Sequence, residues 1–214
     1  MRRSRELVAL AAAALLASGA ASGCAHPKPR PPVVASAPAP EPPPPPPPPK
    51  CEALSEACAA TAETRARVAG TKLALRPPRA WTYAQEESAT IAQHGKAALV
   101  VLAVPAPDAK RLPRGPALEA VIARLDVKFP KSKAKPKPKK AERVLTVGDR
   151  KVSLFQLDGA VRDGSKGPVL VFETADGAGA YVVGGGFVPD DDTSNADAEI
   201  LSSIESLAPG AGAP

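Results

Sequence analysis

From Lys72 onward the apolar residues change their period several times, and each change predicts an element. "TKLAL", ending at Leu75, alternates over a few positions and predicts a short strand, and "ESATIAQ", Glu87 to Gln93, predicts a half-exposed one. Ala97 to Val104 is an unbroken apolar run suited to a central strand covered on both faces. The period then lengthens. Leu118, Val121, Ile122 and Leu125 fall on one stripe of a helix whose first turn takes Pro116. "RVLTV" and "KVSLFQL" flank Gly148-Asp149, and "PVLVFET" and "AYVVGGGFV" flank "ADGAG", so two hairpins follow. Ile200, Leu201, Ile204 and Leu207 form a second helical stripe, with Ser194 and Asp197 spaced as a capping box. About seven strands and two helices result, with hairpins dominating and one strand–helix–strand crossover. The expected class is α+β: a single domain with a largely antiparallel sheet of about seven strands and helices on one face.

The start of the chain follows a different logic. Arg2, Arg3 and Arg5 precede ten apolar residues, Leu7 to Leu16, which are too few to span a bilayer and read as a signal peptide over residues 1–23. "ASGC", ending at Cys24, resembles a bacterial lipobox, in which the cysteine is acylated. Residues 24–50 then form a lipidated, proline-rich stalk that includes eight consecutive prolines, Pro42 to Pro49. Polyproline II rises about 3.1 Å per residue, so this run is a stiff, otherwise disordered spacer roughly 25 Å long. By analogy with lipoproteins sorted by the residue after the cysteine, Ala25 points to the outer membrane, on its periplasmic face or its surface, rather than the inner one.

Cys51 and Cys58 follow the stalk, and two cysteines outside the cytosol make a disulfide the default. Residues 51–69 nevertheless read as a short helical segment. Seven residues of helix would hold the two Cα atoms about 10.5 Å apart, beyond the roughly 7 Å a bridge allows. Either Cys51 curls back and the bridge forms, the favoured alternative, or the helix includes Cys51 and both thiols stay free. The folded domain is expected over residues 70–207, with a disordered tail over 208–214.

The order of a strand, "RPPRAW" (Arg76 to Trp81), hairpins, a helix, further hairpins and a terminal helix ending "ILSSIESL" resembles the PsbP-like / Mog superfamily over residues 71–207. Its members include extrinsic subunits of photosystem II and many bacterial lipoproteins. Ala80 stands where the family commonly has Gly before Trp. The resemblance implies the α+β fold and roles in assembly and binding, and it carries no named functional residue to this chain.

Charge adds one further feature. The chain has 28 basic and 22 acidic residues, a net +6. Residues 128–143, "KFPKSKAKPKPKKAER", hold eight basic residues and one acid, a local +7. The rest of the mature chain, without the leader's three arginines and one glutamate, is therefore −3. Proline blocks helix there and no apolar stripe exists to bury, so this loop is expected to be extended and disordered. Lys128, Lys131, Lys133, Lys135, Lys137, Lys139, Lys140 and Arg143 are candidate contacts to an anionic envelope polymer such as peptidoglycan or lipopolysaccharide. A solvated, solubilising insert explains the same residues. Nucleic acid fits the charge but neither the export signal nor the lack of interleaved aromatics.

Residues with recognisable chemistry are sparse. His26 lies in the stalk and His94 beside Gly95 at a turn, and no nucleophile elbow, zinc-protease pair or phosphate loop occurs. "GGG" at Gly184 to Gly186 lacks a following Lys-Ser/Thr and suggests close backbone approach instead. Asp190, Asp191, Asp192, Asn195 and Asp197 could supply oxygens to calcium, but their spacing fails the calcium-loop pattern and suits a helix N-terminus. The expectation is therefore an envelope lipoprotein of non-enzymatic binding or assembly type, with no cofactor and no metal, whose partners are the membrane, an envelope polymer or a protein. The alternatives are a purely structural or solubilising lipoprotein and, behind it, a hydrolase with an unrecognised site.

Overall fold

The computed structural model describes residues 50–108, 111–130 and 136–210. After a 3-10 turn, Glu56–Cys58, come strands β1 (Ala66–Arg67), β2 (Leu73–Leu75), β3 (Thr82–Gln85), β4 (Ala89–His94) and β5 (Ala97–Pro105), then helix α1 (Arg114–Leu125). Strands β6 (Arg143–Val147), β7 (Arg150–Arg162), β8 (Ser165–Ala175) and β9 (Ala180–Phe187), helix α2 (Ala196–Glu205) and β10 (Ala208–Pro209) complete the order. A seven-stranded sheet runs β3-β4-β5-β9-β8-β7-β6, and a three-stranded one runs β1-β2-β10. Every strand pair is antiparallel. The chain builds one half of the large sheet as a meander, crosses through α1 to the far edge, and returns as a second meander whose last strand pairs with β5.

The α+β class and the seven-stranded antiparallel sheet agree with the sequence reading, but its membership differs. The "LAL" strand β2 belongs to the small sheet, and "TYAQ", β3, takes its place at the edge. The helices do not share a face. Val121 and Leu125 of α1 pack with Val100, Val183 and Phe187. Ile200 and Ile204 of α2 pack with Leu99, Val101 and Trp81 on the other side. The cause lies in β5 and β9, whose residues are apolar toward both faces, so each face needs its own cover.

Two of the three glycines of β9 make that double cover possible. A Cβ on Gly185 would lie 2.7 Å from Val121 Cγ1 of α1, and one on Gly186 would lie 2.6 Å from Ile200 Cγ2 of α2. Strand alternation sends the two positions to opposite faces. Both helices therefore rest directly on the β9 backbone.

Three local expectations are corrected. Residues 51–69 hold only the 3-10 turn Glu56–Cys58 and no α-helix, because their backbone groups pair with β3 and the residue before it: Ala60 N–H donates to the Trp81 carbonyl at 2.8 Å and Gln85 N–H to the Cys51 carbonyl at 2.6 Å. Residues 208–210 are not disordered, since β10 pairs with β2 and Gly210 N–H donates to the Lys72 carbonyl at 2.7 Å, and the rest of the expected tail, 211–214, lies outside the described residues. The Ser194–Asp197 capping box does not form. Asn195 takes the N-cap position in the left-handed region, and the carboxylate of Asp192 accepts the Ala196 N–H instead at 3.0 Å. No helix among the described residues is long and apolar enough to cross a membrane.

Candidate functional site

Cys51 and Cys58 are joined by a disulfide with their Cα atoms 5.6 Å apart, a separation that continuous helix does not permit. The closed loop lies along β3, bridging Ala59 to Thr82, with Ala80 N–H donating to the Ala60 carbonyl at 2.8 Å. Next to it Trp81 is 1 % exposed, donates from Nε1 to Glu199 of α2 at 2.7 Å, and stacks on His94 at 6.1 Å between ring centroids. His94 is thus an exposed residue at the end of β4 whose ring covers the tryptophan. Ala80 holds φ +66°, the left-handed region in which glycine carries no steric cost.

Of the candidate polyanion contacts, Lys131, Lys133 and Lys135, like the lipidation candidate Cys24, lie outside the described residues. The ends of the basic segment are more ordered than its composition suggests. Lys128 and Val161 exchange two backbone hydrogen bonds at 2.8 Å, and Arg143 already belongs to β6. Lys139 donates to the Gln156 carbonyl at 2.7 Å and lies 3.9 Å from Glu142, while Arg114 donates to the Lys139 carbonyl at 2.8 Å. These contacts satisfy the edge of β7 beyond the point where β6 stops. Lys128, Lys137, Lys140 and Arg143 are exposed, and their side chains meet no acidic partner among the described residues.

Arg114 also anchors a polar cluster that sequence spacing does not reveal. Its guanidinium grips Glu173 of β8 at 2.6 and 2.9 Å, and Tyr181 of β9 donates to the same carboxylate at 2.5 Å. Burial, and then the adjacent Glu173, pushes the Tyr181 hydroxyl well above its ordinary range. The hydrogen bond to Glu173 raises Arg114 in turn. Both groups stay protonated across the physiological range, and the cluster ties α1 and the basic segment to the sheet.

On the α2 face, toward the β6 end, the described residues form a cleft of about 620 Å³. Leu154, Leu170, Val188, Ile200 and Leu201 supply apolar lining, Glu142 and Arg143 stand at one end, and Asp190, Asp192 and Asp197 stand at the other. The acidic turn is held as a wall because Val188 N–H and Asp190 N–H donate to the carbonyls of Pro168 and Lys166, extending the β8 ladder. Within it Asp192 is committed, accepting Ser194 Oγ at 2.7 Å as well as the Ala196 N–H. Burial alone would raise its carboxyl, but these hydrogen bonds and the charge of His94 outweigh that and hold it below the usual carboxylate value. No group of three or more His, Cys, Asp or Glu that could hold a metal ion is found among the described residues; of the acidic-turn residues Asp192 accepts the Ala196 N–H, and Asp190, Asp192, Asn195 and Asp197 line the cleft.

Sequence reasoning missed the cleft. Leu154, Leu170 and Leu201 read as ordinary core positions, and only the half-exposure of Leu170 and Leu201 in the fold separates them from the buried set. No protein-family model and no curated protein matches the chain. Among solved structures it is similar to a protein from Bacteroides thetaiotaomicron VPI-5482 at 12% identity and a TM-score of 0.38, over 64% of this chain and 44% of that one.

Proposed function

We propose that the chain is a lipid-anchored envelope protein of non-enzymatic binding or assembly type, tethered through Cys24 to the outer membrane and contacting anionic envelope polymers through its basic segment. The domain is taken to be PsbP-like in kind. The observation that supports the binding role is the exposure, at the β6 end, of Lys128, Lys137, Lys140 and Arg143 without acidic partners among the described residues. Unpaired lysines near an anionic surface contribute up to about 1 kcal/mol each, and the attraction weakens with salt.

The test is co-sedimentation of residues 51–214 with purified peptidoglycan and with lipopolysaccharide vesicles, with and without residues 130–140, at low and high salt. Binding that salt weakens and the deletion removes is the expected result. Equal binding by both forms would overturn the role of the segment, and no binding by either would favour a solubilising insert.

A further inference from the structure

The cleft has a geometric origin. Seven strands about 4.8 Å apart span close to 29 Å, whereas one helix with its side chains covers only about 10–12 Å. On this face α2 covers the middle of the large sheet, and Val68, Leu73 and Leu75 from the β1–β2 region cover the β3 side. Toward the β7–β8 side that cover thins: Val152, Leu154 and Phe172 are still buried, but Leu170 is half-buried and lines the opening beside Leu154. On the opposite face the same strands are covered, with Leu112 and Phe129 packed against the core that contains Phe155 and Val171.

Two further observations indicate what fits there. First, the lining carries more carboxylates than cations: Asp190, Asp192 and Asp197 stand at one end, and at the other Glu142 lies beside Arg143 and 3.9 Å from Lys139, whose ammonium bonds the Gln156 carbonyl. Asp192 is used as the helix cap, but Asp190 and Asp197 are exposed and their carboxylates have no partner among the described residues. Second, the cleft runs up to an open sheet edge. β6 ends the strand order, and Val144 on it is 54% exposed. The two-residue turn at Gly148-Asp149 pairs Val147 with Arg150. Counting back from that pair, the Val144 N–H and C=O point outward, away from β7. Arg143, next to Val144, lines the cleft itself.

We propose that the β6 edge and this cleft together form a docking site for an extended polypeptide segment of a partner protein, one in which apolar and basic residues alternate. The segment adds a strand beside β6 and takes its backbone hydrogen bonds from the outward groups of Val144 and Thr146. Its alternate side chains turn to the α2 face, where the floor accepts apolar groups and the aspartates accept lysine or arginine. The partner's charge is opposite to that of the polymers proposed for the basic segment, so the two sites stand or fall separately.

The test is fluorescence anisotropy of a labelled ten-residue peptide of alternating Lys and Val titrated with the full chain. The controls are an alternating Glu–Val peptide and a peptide with five lysines followed by five valines. The expected result is saturable binding of the alternating Lys–Val peptide alone. Asp190→Asn with Asp197→Asn should weaken it at least fivefold. Val144→Pro, which removes an outward N–H that β7 does not use, should weaken it at least tenfold. Circular dichroism establishes that each variant is folded, and the aspartate pair, being exposed, tests the proposal even if the proline variant is not. Equal binding of the blocked lysine peptide would reduce the effect to diffuse charge and overturn the proposal. So would unchanged affinity in the folded variants, or no binding of the alternating peptide at millimolar concentration.

Discussion

The two ends of the seven-stranded sheet are finished in opposite ways. At the β3 end the disulfide loop of Cys51 and Cys58 lies along the edge strand and takes up its outward backbone groups. Trp81, Leu73 and Leu75 fill the space beneath. At the β6 end the last strand has no second strand neighbour beyond β7 among the described residues, its Val144 is exposed, and a cleft opens between it and α2. An unpaired edge is a hazard that folded proteins usually cover or charge. This domain covers one edge with a covalent clamp and flanks the other with lysines. The contrast separates the end built for stability from the end available for contact.

The largest test of that contrast removes the clamp. Cys51→Ser with Cys58→Ser should lower unfolding stability by about 2 kcal/mol, as expected for opening a short loop. Urea denaturation measures the loss, and hydrogen exchange should rise first in β3. A loss below about 0.5 kcal/mol would mean that the hydrogen bonds along β3 seal the edge without the bridge.

At the open end Asp192→Ala should cost about 1 kcal/mol near pH 7, the usual value of a lost helix cap. Because the folded state holds this carboxyl below its ordinary value of 3.8, its contribution is fully present above about pH 4 and is lost as the pH falls through the lower folded value. Thermal melts of both proteins should therefore converge once the pH falls below that lowered value. A constant gap at all pH values would show that Asp192 contributes through packing rather than charge.

The smallest effect has the opposite sign. Ala80→Gly relieves a left-handed backbone at the sealed end and should raise stability by up to about 1 kcal/mol, readable as a shift in the urea midpoint. A decrease would place the unfolded-state entropy of the new glycine above the relieved strain.

Much of the fold was legible because apolar period reports local burial directly. The run Ala97 to Val104, the two helical stripes and the hairpin turns at Gly148 and Gly177 all appear where their patterns place them. The two-residue strands β1 and β10 were not legible, since two residues carry no period and each exists only through its pairing with β2. Nor was the absence of α-helix at 51–69. The alanine-rich composition there favours helix locally, and the disulfide and the pairing with β3 override it. Arg114, Glu173 and Tyr181 could not be joined by any spacing rule, because α1, β8 and β9 meet only after the crossover.

By itself, then, the sequence determined the class of the domain, the central strands and the stripes of the two helices, because each of these follows from which side chains must leave water. Tertiary structure alone decided that the helices take opposite faces of β9, that one edge is clamped, and that the other borders an acid-rimmed cleft. Those features depend on how wide the sheet is relative to what covers it, and that is a property of the assembled layers rather than of any segment.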